Sequence, residues 1–366
     1  MSTANAEFEI FLAGNPVALN VLIFTEYVNA TYFISFDIPL RQLHAKGQVN
    51  FAVASQKHVS EMGENCWCRW DKTFKPDLVV MSRYGQADGV AILDYFQQCH
   101  IPVIYHIDDD LLEIPVSLGT EIQQRHGDSQ VIETRRYLLE YCDLIYASTA
   151  NLANLLQERF PRQTILHGIY APYMGASIEP IVVTKAQTVI GYMGSKGHQY
   201  DLELVVPALE RLLEERPELS FETFGTIRMP ETLKQFEGRV QSHSVQKAYQ
   251  EFLSTLAGLR WTIGLAPLVD SPFNRCKAPT KFIEYTACNI PVVASAVSVY
   301  TDAMPASAGI FVLNDWYSAL NDILDDSDRQ NQCLRTAQVY CESNYSPNIL
   351  ELQLLRIFNT VRAMKN

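Results

Sequence analysis

At 366 residues the chain is longer than one ordinary domain and has room for two cores. With 48% of its residues apolar, 19% charged and no low-complexity tract, it is not a disordered or fibrous chain. Its formal charge of −12 argues against a nucleic-acid partner, because binding a phosphate backbone takes a surplus of lysine and arginine on some face.

The apolar stretch from Phe8 to Phe24 is broken by Gly14, Asn15, Pro16 and Asn20 and has no basic leader. It therefore reads as neither a signal peptide nor a membrane span, and a cytoplasmic protein is expected, with peripheral contact at the inner face of the membrane left open. Cysteines stand at 66, 68, 99, 142, 276, 288, 333 and 341; only the first two are close, and a single Cys-x-Cys lacks the second ligand pair of a zinc site. They read as reduced thiols acting as small apolar residues.

In chain order, short β-rich runs alternate with segments of helical period, the pattern of a parallel sheet wrapped by helices. Strands are predicted at Asn20–Tyr27, Val49–Ala54, Asp77–Met81, Pro102–Ile107, Leu144–Ser148 and Thr164–His167. Between them helices are predicted at Asp37–Lys46, Ala87–Cys99, Val131–Tyr141 and Thr149–Arg159. The period is lost over Tyr173–Thr184, which sets a domain boundary near residue 180. It restarts with strands at Thr188–Tyr192, Ser220–Phe224, Trp261–Leu265, Pro291–Ala294 and Gly309–Val312. The accompanying helices are Asp201–Glu215, Val245–Leu256, Thr280–Cys288 and Asp315–Leu324. A first domain at 1–180, a second at 181–345 and a last helix near Pro347–Met364, whose crossing back onto the first domain is left open, make an α/β chain of two Rossmann-like domains facing a cleft.

Three segments carry chemistry. The second domain opens with Val189-Ile190-Gly191-Tyr192-Met193-Gly194-Ser195-Lys196-Gly197-His198, a strand running into a glycine loop and then a helix. Glycines let backbone N–H groups come close to a phosphate, and Lys196 adds a full positive charge; an ordinary glycine turn is the competing reading. The second segment runs from Ala266 through Asp270, Asn274, Cys276 and Lys277 to Pro279-Thr280-Lys281-Phe282-Ile283-Glu284-Tyr285. Lysines at a helix start oppose the helix dipole unless an anion sits there, so Lys277, Lys281 and the N–H groups of Thr280 and Lys281 point to an anion site. Glu284, one turn on, is placed to accept two ribose hydroxyls.

The third segment, Tyr105-His106-Ile107-Asp108-Asp109-Asp110, ends a strand where open α/β sheets bind ligands. Asp108 or Asp109 is expected to face the cleft and bind hydroxyls of donor or acceptor. A metal-binding Asp-x-Asp and a helix N-cap cluster are the alternatives. His106 reads as a satisfied strand-end histidine, His167-Gly168 as a loop before the hinge, and Tyr32 and Arg41 as residues near the acceptor.

The second half resembles the donor-binding domain of glycosyltransferase family 4, in Gly191–Thr226 and in Ile263–Asp302, through Phe282-Ile283-Glu284-Tyr285 and Ile290-Pro291-Val292-Val293-Ala294-Ser295. The first half is similar more loosely, through Pro39, Leu43, Gly47, the stretch His106 to Pro115 and Ala147-Ser148-Thr149. The resemblance implies the GT-B fold and retaining, metal-independent hexosyl transfer from a nucleotide diphosphate sugar to a glycan or lipid-linked acceptor, with no further cofactor. Donor contacts are expected from Gly194, Ser195, Lys196, Gly225, Lys277, Thr280, Lys281 and Glu284, and catalytic roles from Asp108, Asp109, Lys196 and Lys281. The family's paired glutamates depart here: Glu284 is the second, while Cys276 occupies the first position. Asp270, Asn274 or Lys277 is then expected to position the sugar. A catalytically silent binding protein and a nucleotide-sugar epimerase are the rival readings.

Overall fold

The computed structural model describes residues 9–175, 188–244 and 249–365; the expected boundary near 180 and the start of the helix expected at Val245 lie outside the described residues. Two sheets are formed. The first has the order β1-β3-β2-β4-β5-β6-β7, from Glu9–Phe11, Val49–Ser55, Leu19–Thr25, Leu78–Ser82, Val103–Ile107, Leu144–Ala147 and Ile165–His167. All pairings are parallel except that of the short edge strand β1 on β3. The second sheet, β10-β9-β8-β11-β12-β13, is wholly parallel and uses Val240–His243, Leu219–Gly225, Thr188–Gly194, Ile263–Ala266, Val292–Ser295 and Ile310–Val312. The chain is thus α/β with two Rossmann-like units, because near-continuous apolar strands such as Val21–Phe24 and Leu78–Met81 are stable only with helices on both faces.

Each sheet reverses its strand order beside the first of its parallel strands, between β2 and β4 and between β8 and β11, and ligands of open α/β sheets bind at the carboxyl ends of the strands at such points. The helix Pro347–Ala363 packs Leu354, Ile357, Phe358 and Val361 into the core of the first unit. Gln353 on that helix donates to Tyr146 Oη at 2.6 Å and to the Ile169 carbonyl at 2.9 Å. Gly168 lies so close that a β-carbon there would fall 1.8 Å from Gln353 Oε1.

Several elements differ from the sequence reading, among them the edge strands Glu9–Phe11 and Val240–His243 and the helix Thr120–His126, none of which was expected. The single helix expected over Asp201–Glu215 is two, Gln199–Glu203 and Val206–Glu215, since Pro207 has no N–H to carry the hydrogen-bond ladder across the junction. Helices Gln56–Met62, Cys66–Phe74 and Ser327–Asn344 were not expected. All eight cysteines are free thiols, six of them buried. Among the described residues no helix is long and apolar enough to cross a membrane.

Candidate functional site

The two switch points face each other across a cavity of about 780 Å³ lined by residues of both units. From the second unit come Gly194 and Ser195 after β8, Gly225 and Thr226 after β9, Leu268 after β11, and the run Lys277 to Lys281 with Glu284. The Gly194 carbonyl accepts the N–H groups of Thr226 and Ile227, each at 3.1 Å. This close approach dictates glycine at 225, whose φ of +112° is left-handed and whose β-carbon would lie 2.4 Å from the Gly194 oxygen.

Helix Thr280–Ala287 begins after Pro279 with no side chain capping it, so its first N–H groups are left to whatever occupies the cavity. Lys281 Nζ lies 5.5 Å from the Tyr192 ring centroid and Lys277 Nζ 4.9 Å from that of Phe273. Burial pushes the Lys281 ammonium down to about 8; Lys277 adds to the fall, and Asp201 and Glu284 oppose it. Glu284 is buried one turn into the helix and lines the same cavity.

His198 also lines the cavity, and its Nδ1 meets Asp201 Oδ2 at 2.9 Å. The buried Asp201 is held from its other oxygen by the Val269 N–H at 2.9 Å and Asn274 Nδ2 at 3.4 Å. Burial and the neighbouring Lys281 push the His198 imidazole down to about 3 against the pull of Asp201.

The first unit supplies Asp108 and Asp109 after β5, Arg83 after β4 and the segment Val28–Thr31 after β2. The three consecutive aspartates part to different partners. Asp108 Oδ1 and Oδ2 accept from Arg83 Nη1 at 2.8 and 3.0 Å, and Oδ2 also accepts from Thr31 Oγ1 at 2.9 Å and Tyr170 Oη at 3.1 Å. Burial is the largest effect and opposes ionisation, but Arg83, His106, Thr31 and Tyr170 together outweigh it and hold the Asp108 carboxyl below the usual carboxylate range. Asp109 lies 3.6 Å from Lys277 Nζ; burial and then the Asp108 charge push it above its ordinary value despite that lysine. Asp110 turns away and receives both Nη groups of Arg159 at 2.7 and 3.0 Å.

Of the residues expected from sequence, Asp108, Asp109, Gly194, Ser195, Gly225, Lys277, Thr280, Lys281 and Glu284 are brought to this one cavity. Lys196 is not: its half-exposed side chain pairs with Glu121 at 3.0 Å and does not line the cavity, because the turn after Ser195 points it at the neighbouring helix Thr120–His126. Cys276 is buried with its Sγ 3.5 Å from the Pro272 carbonyl, packed with the first unit's core. Of the substitutes considered for the missing glutamate, Asp270 is exposed and paired with Arg275 at 2.6 Å, and Asn274 is engaged with Val269 and Asp201, which leaves Lys277 in the cavity. Arg41 pairs with Asp37 at 2.7 Å and Tyr32 is buried in the first core, so neither reaches the cleft. His106 is buried, its Nδ1 2.9 Å from Ser82 Oγ, and burial pushes it down to about 4.

Arg83, Thr31, Tyr170 and Asp201 were missed in the sequence, and His198 was read only as the end of the glycine segment, with no role of its own. Arg83 alone left a local signal, as the residue following a predicted strand; it sits at φ +55°, strain that is held by its bonds to Glu26 at 3.0 Å and to Asp108. Among the described residues no group of three His, Cys, Asp or Glu is arranged to hold a metal ion.

No family model matches the chain, and no curated protein matches its sequence. Solved structures do. HepE of Anabaena, determined in complex with UDP-glucose, superposes with a TM-score of 0.62 at 12% identity, over 93% of this chain and 100% of that one. A glycosyltransferase of Rickettsia africae gives 0.66 at 13% identity, over 94% and 98%. WaaG, a glycosyltransferase involved in lipopolysaccharide biosynthesis, gives 0.62 at 12% identity, over 94% and 99%. The likeness is one of fold and spans nearly the whole of each chain: the chain has the GT-B architecture.

Proposed function

We propose that the protein transfers a hexosyl group from a nucleotide diphosphate sugar to a hydroxyl of a glycan or lipid-linked acceptor, with retention and without a metal ion. The observation that carries this reading is the interdomain cavity in which Lys277, Lys281 and the uncapped start of helix Thr280–Ala287 face Asp108 and Asp109. Such an array suits a diphosphate on one wall and sugar hydroxyls on the other. Glu284 orients the ribose. Each cleft aspartate already has a cationic neighbour, Arg83 or Lys277, so the countercharge for the diphosphate comes from the lysines and the helix end. The leaving diphosphate takes the acceptor's proton, and the enclosure of the cavity between two units keeps water from competing. The fold is shared with HepE, which was determined with UDP-glucose, and this makes uracil the first base to try.

The work is placed in the cytoplasm, at the inner membrane face where the acceptor is lipid-linked. The buried Cys276, which cannot serve as the family's first carboxylate, favours one other reading, a silent binding protein. A thermal-shift panel of UDP, GDP, dTDP, ADP and their common sugars, each with magnesium and with a chelator, tests both. A ligand at a hundred times its Kd stabilises the fold by roughly 2.7 kcal/mol. A shift that survives the chelator, followed by transfer to an acceptor, supports the proposal. Binding without turnover supports the silent reading, and a shift that needs the metal overturns the metal-free site.

A further inference from the structure

We infer that His198 is a diphosphate-contacting residue whose imidazole takes up a proton when the donor binds, with the buried Asp201 carboxylate behind it as the positioning group. The inference rests on the donor-site reading above and is tested separately from it. Its geometric basis is a relay: Asp201 is fixed from both sides, by the Val269 N–H and Asn274 on one oxygen and by His198 Nδ1 on the other. A buried carboxylate accepting from Nδ1–H sets the tautomer, so in the neutral ring Nε2 carries a lone pair. Among the described residues Nε2 takes no hydrogen bond, and the residue lines the cavity beside Ser195 and Lys281. The position is locked, with the Tyr192 hydroxyl donating to the His198 carbonyl at 3.2 Å.

Burial opposes the Asp201 charge, but His198, the Val269 N–H and Lys281 together outweigh it and hold the carboxyl below its ordinary range, so an anion stands behind the ring. The charged groups facing the ring are Asp201 on its own short helix, Lys281 on helix Thr280–Ala287 and Lys277 in the preceding loop. In the empty cavity the two ammonium groups, added to burial, keep the ring neutral. A diphosphate offsets both lysines and gives Nε2 an anionic acceptor, while Asp201 stabilises the imidazolium from behind. The balance of charge therefore reverses, and the ring becomes a donor to a phosphate oxygen. When the bond from the sugar's anomeric carbon to that diphosphate breaks and its electron pair goes to the leaving oxygen, the imidazolium is already in place to stabilise the new charge.

The test is calorimetric titration of the native protein at about pH 6.5 in buffers of different ionisation enthalpy, using the nucleotide sugar that the thermal-shift panel selects, UDP-glucose first. A nucleotide sugar lacks the terminal phosphate that titrates near pH 6 in a nucleoside diphosphate. At this pH Lys281, near 8, is already protonated, and an Asp109→Asn variant, which removes the other carboxyl of raised proton affinity in the cavity, is titrated alongside, so uptake common to both proteins reports on the histidine. Native protein should take up about half to one proton per donor bound. His198→Ala should take up none and bind about tenfold more weakly. Asp201→Asn can still accept from Val269 and can offer its amide to Nδ1, which leaves the hydrogen on Nε2; it should keep most of the affinity and lose the uptake. Native binding with no proton uptake, or uptake that persists in His198→Ala, overturns the inference and leaves the donor site standing. If no nucleotide sugar binds, both fall together.

Discussion

Lys281 offers the sharpest functional prediction. Its ammonium is pushed down to about 8, so in the empty cavity at pH 7 roughly nine in ten copies carry the charge, and at pH 9 about one in ten. A bound diphosphate adds an opposite charge and raises this value, so binding is fully supported below about pH 8 and weakens as pH rises through it. If the complex keeps the charge throughout, affinity falls roughly tenfold, about 1.4 kcal/mol, between pH 7 and 9. Titration calorimetry with the preferred nucleoside diphosphate across about pH 7 to 9.5 reads this directly. Lys281→Arg keeps the charge at every pH in that range and should flatten the profile, at some loss of affinity from its bulkier head group. His198→Ala should keep this alkaline limb. A native profile with no fall above pH 8, or an arginine variant with the same fall, refutes the placement of Lys281 against the anion.

Glu284→Ala should weaken nucleotide binding by about 2–3 kcal/mol, roughly 30- to 150-fold in Kd, if its buried carboxylate accepts the ribose hydroxyls; an unchanged Kd removes it from the donor site. Asp109→Ala should leave nucleotide Kd within about threefold and lower transfer by at least about tenfold, read as kcat at saturating donor; unchanged transfer counts against its placement in the cleft. Gly225→Ala should cost roughly 2–3 kcal/mol of stability, because the added carbon meets the Gly194 carbonyl at a left-handed φ; denaturant unfolding measures it. His106, whose ordinary value is 6.5 and which burial lowers to about 4, stays neutral in the fold while the unfolded chain takes a proton. Stability should therefore be complete above pH 6.5 and decline by about 3 kcal/mol as pH falls toward 4, and His106→Gln should remove that share of the decline.

The strands were legible because a parallel sheet covered on both faces needs runs such as Val21–Phe24 and Val292–Ser295, which few other structures tolerate. The helix Ser327–Asn344 was not legible: its inward residues Cys333, Leu334, Ala337 and Cys341 are small or sparse among polar neighbours, a weak apolar stripe. The second-unit half of the site could be read locally, since a glycine turn and a lysine-bearing helix start each lie within a few consecutive residues. The first-unit half could not. Asp108 is held by Arg83, Thr31 and Tyr170, which arrive from three separate strand ends 25, 77 and 62 positions away. The direction of Lys196 was illegible for another reason: a side chain on a turn can swing to either wall, and here it pairs with Glu121 on the outer one.

The fate of the aspartate run decides how the cleft handles charge. Arg83 answers Asp108 and Glu26 inside the first unit, so that pair can stay intact whatever enters the cavity. Lys277 answers Asp109 from the other unit, and it is also one of two lysines near the open start of helix Thr280–Ala287. An arriving diphosphate therefore competes with Asp109 for Lys277. The cost to Asp109 is small, because its longer contact of 3.6 Å and its raised proton affinity mark it as weakly satisfied already. Loss of the lysine leaves a carboxyl that is better stabilised by accepting a hydroxyl than by ionising alone in the cleft. On the proposed reading, occupation of the anion site frees Asp109 from Lys277 to accept a hydroxyl, so donor binding should strengthen acceptor binding; an acceptor Kd that is unchanged by the nucleotide refutes this coupling.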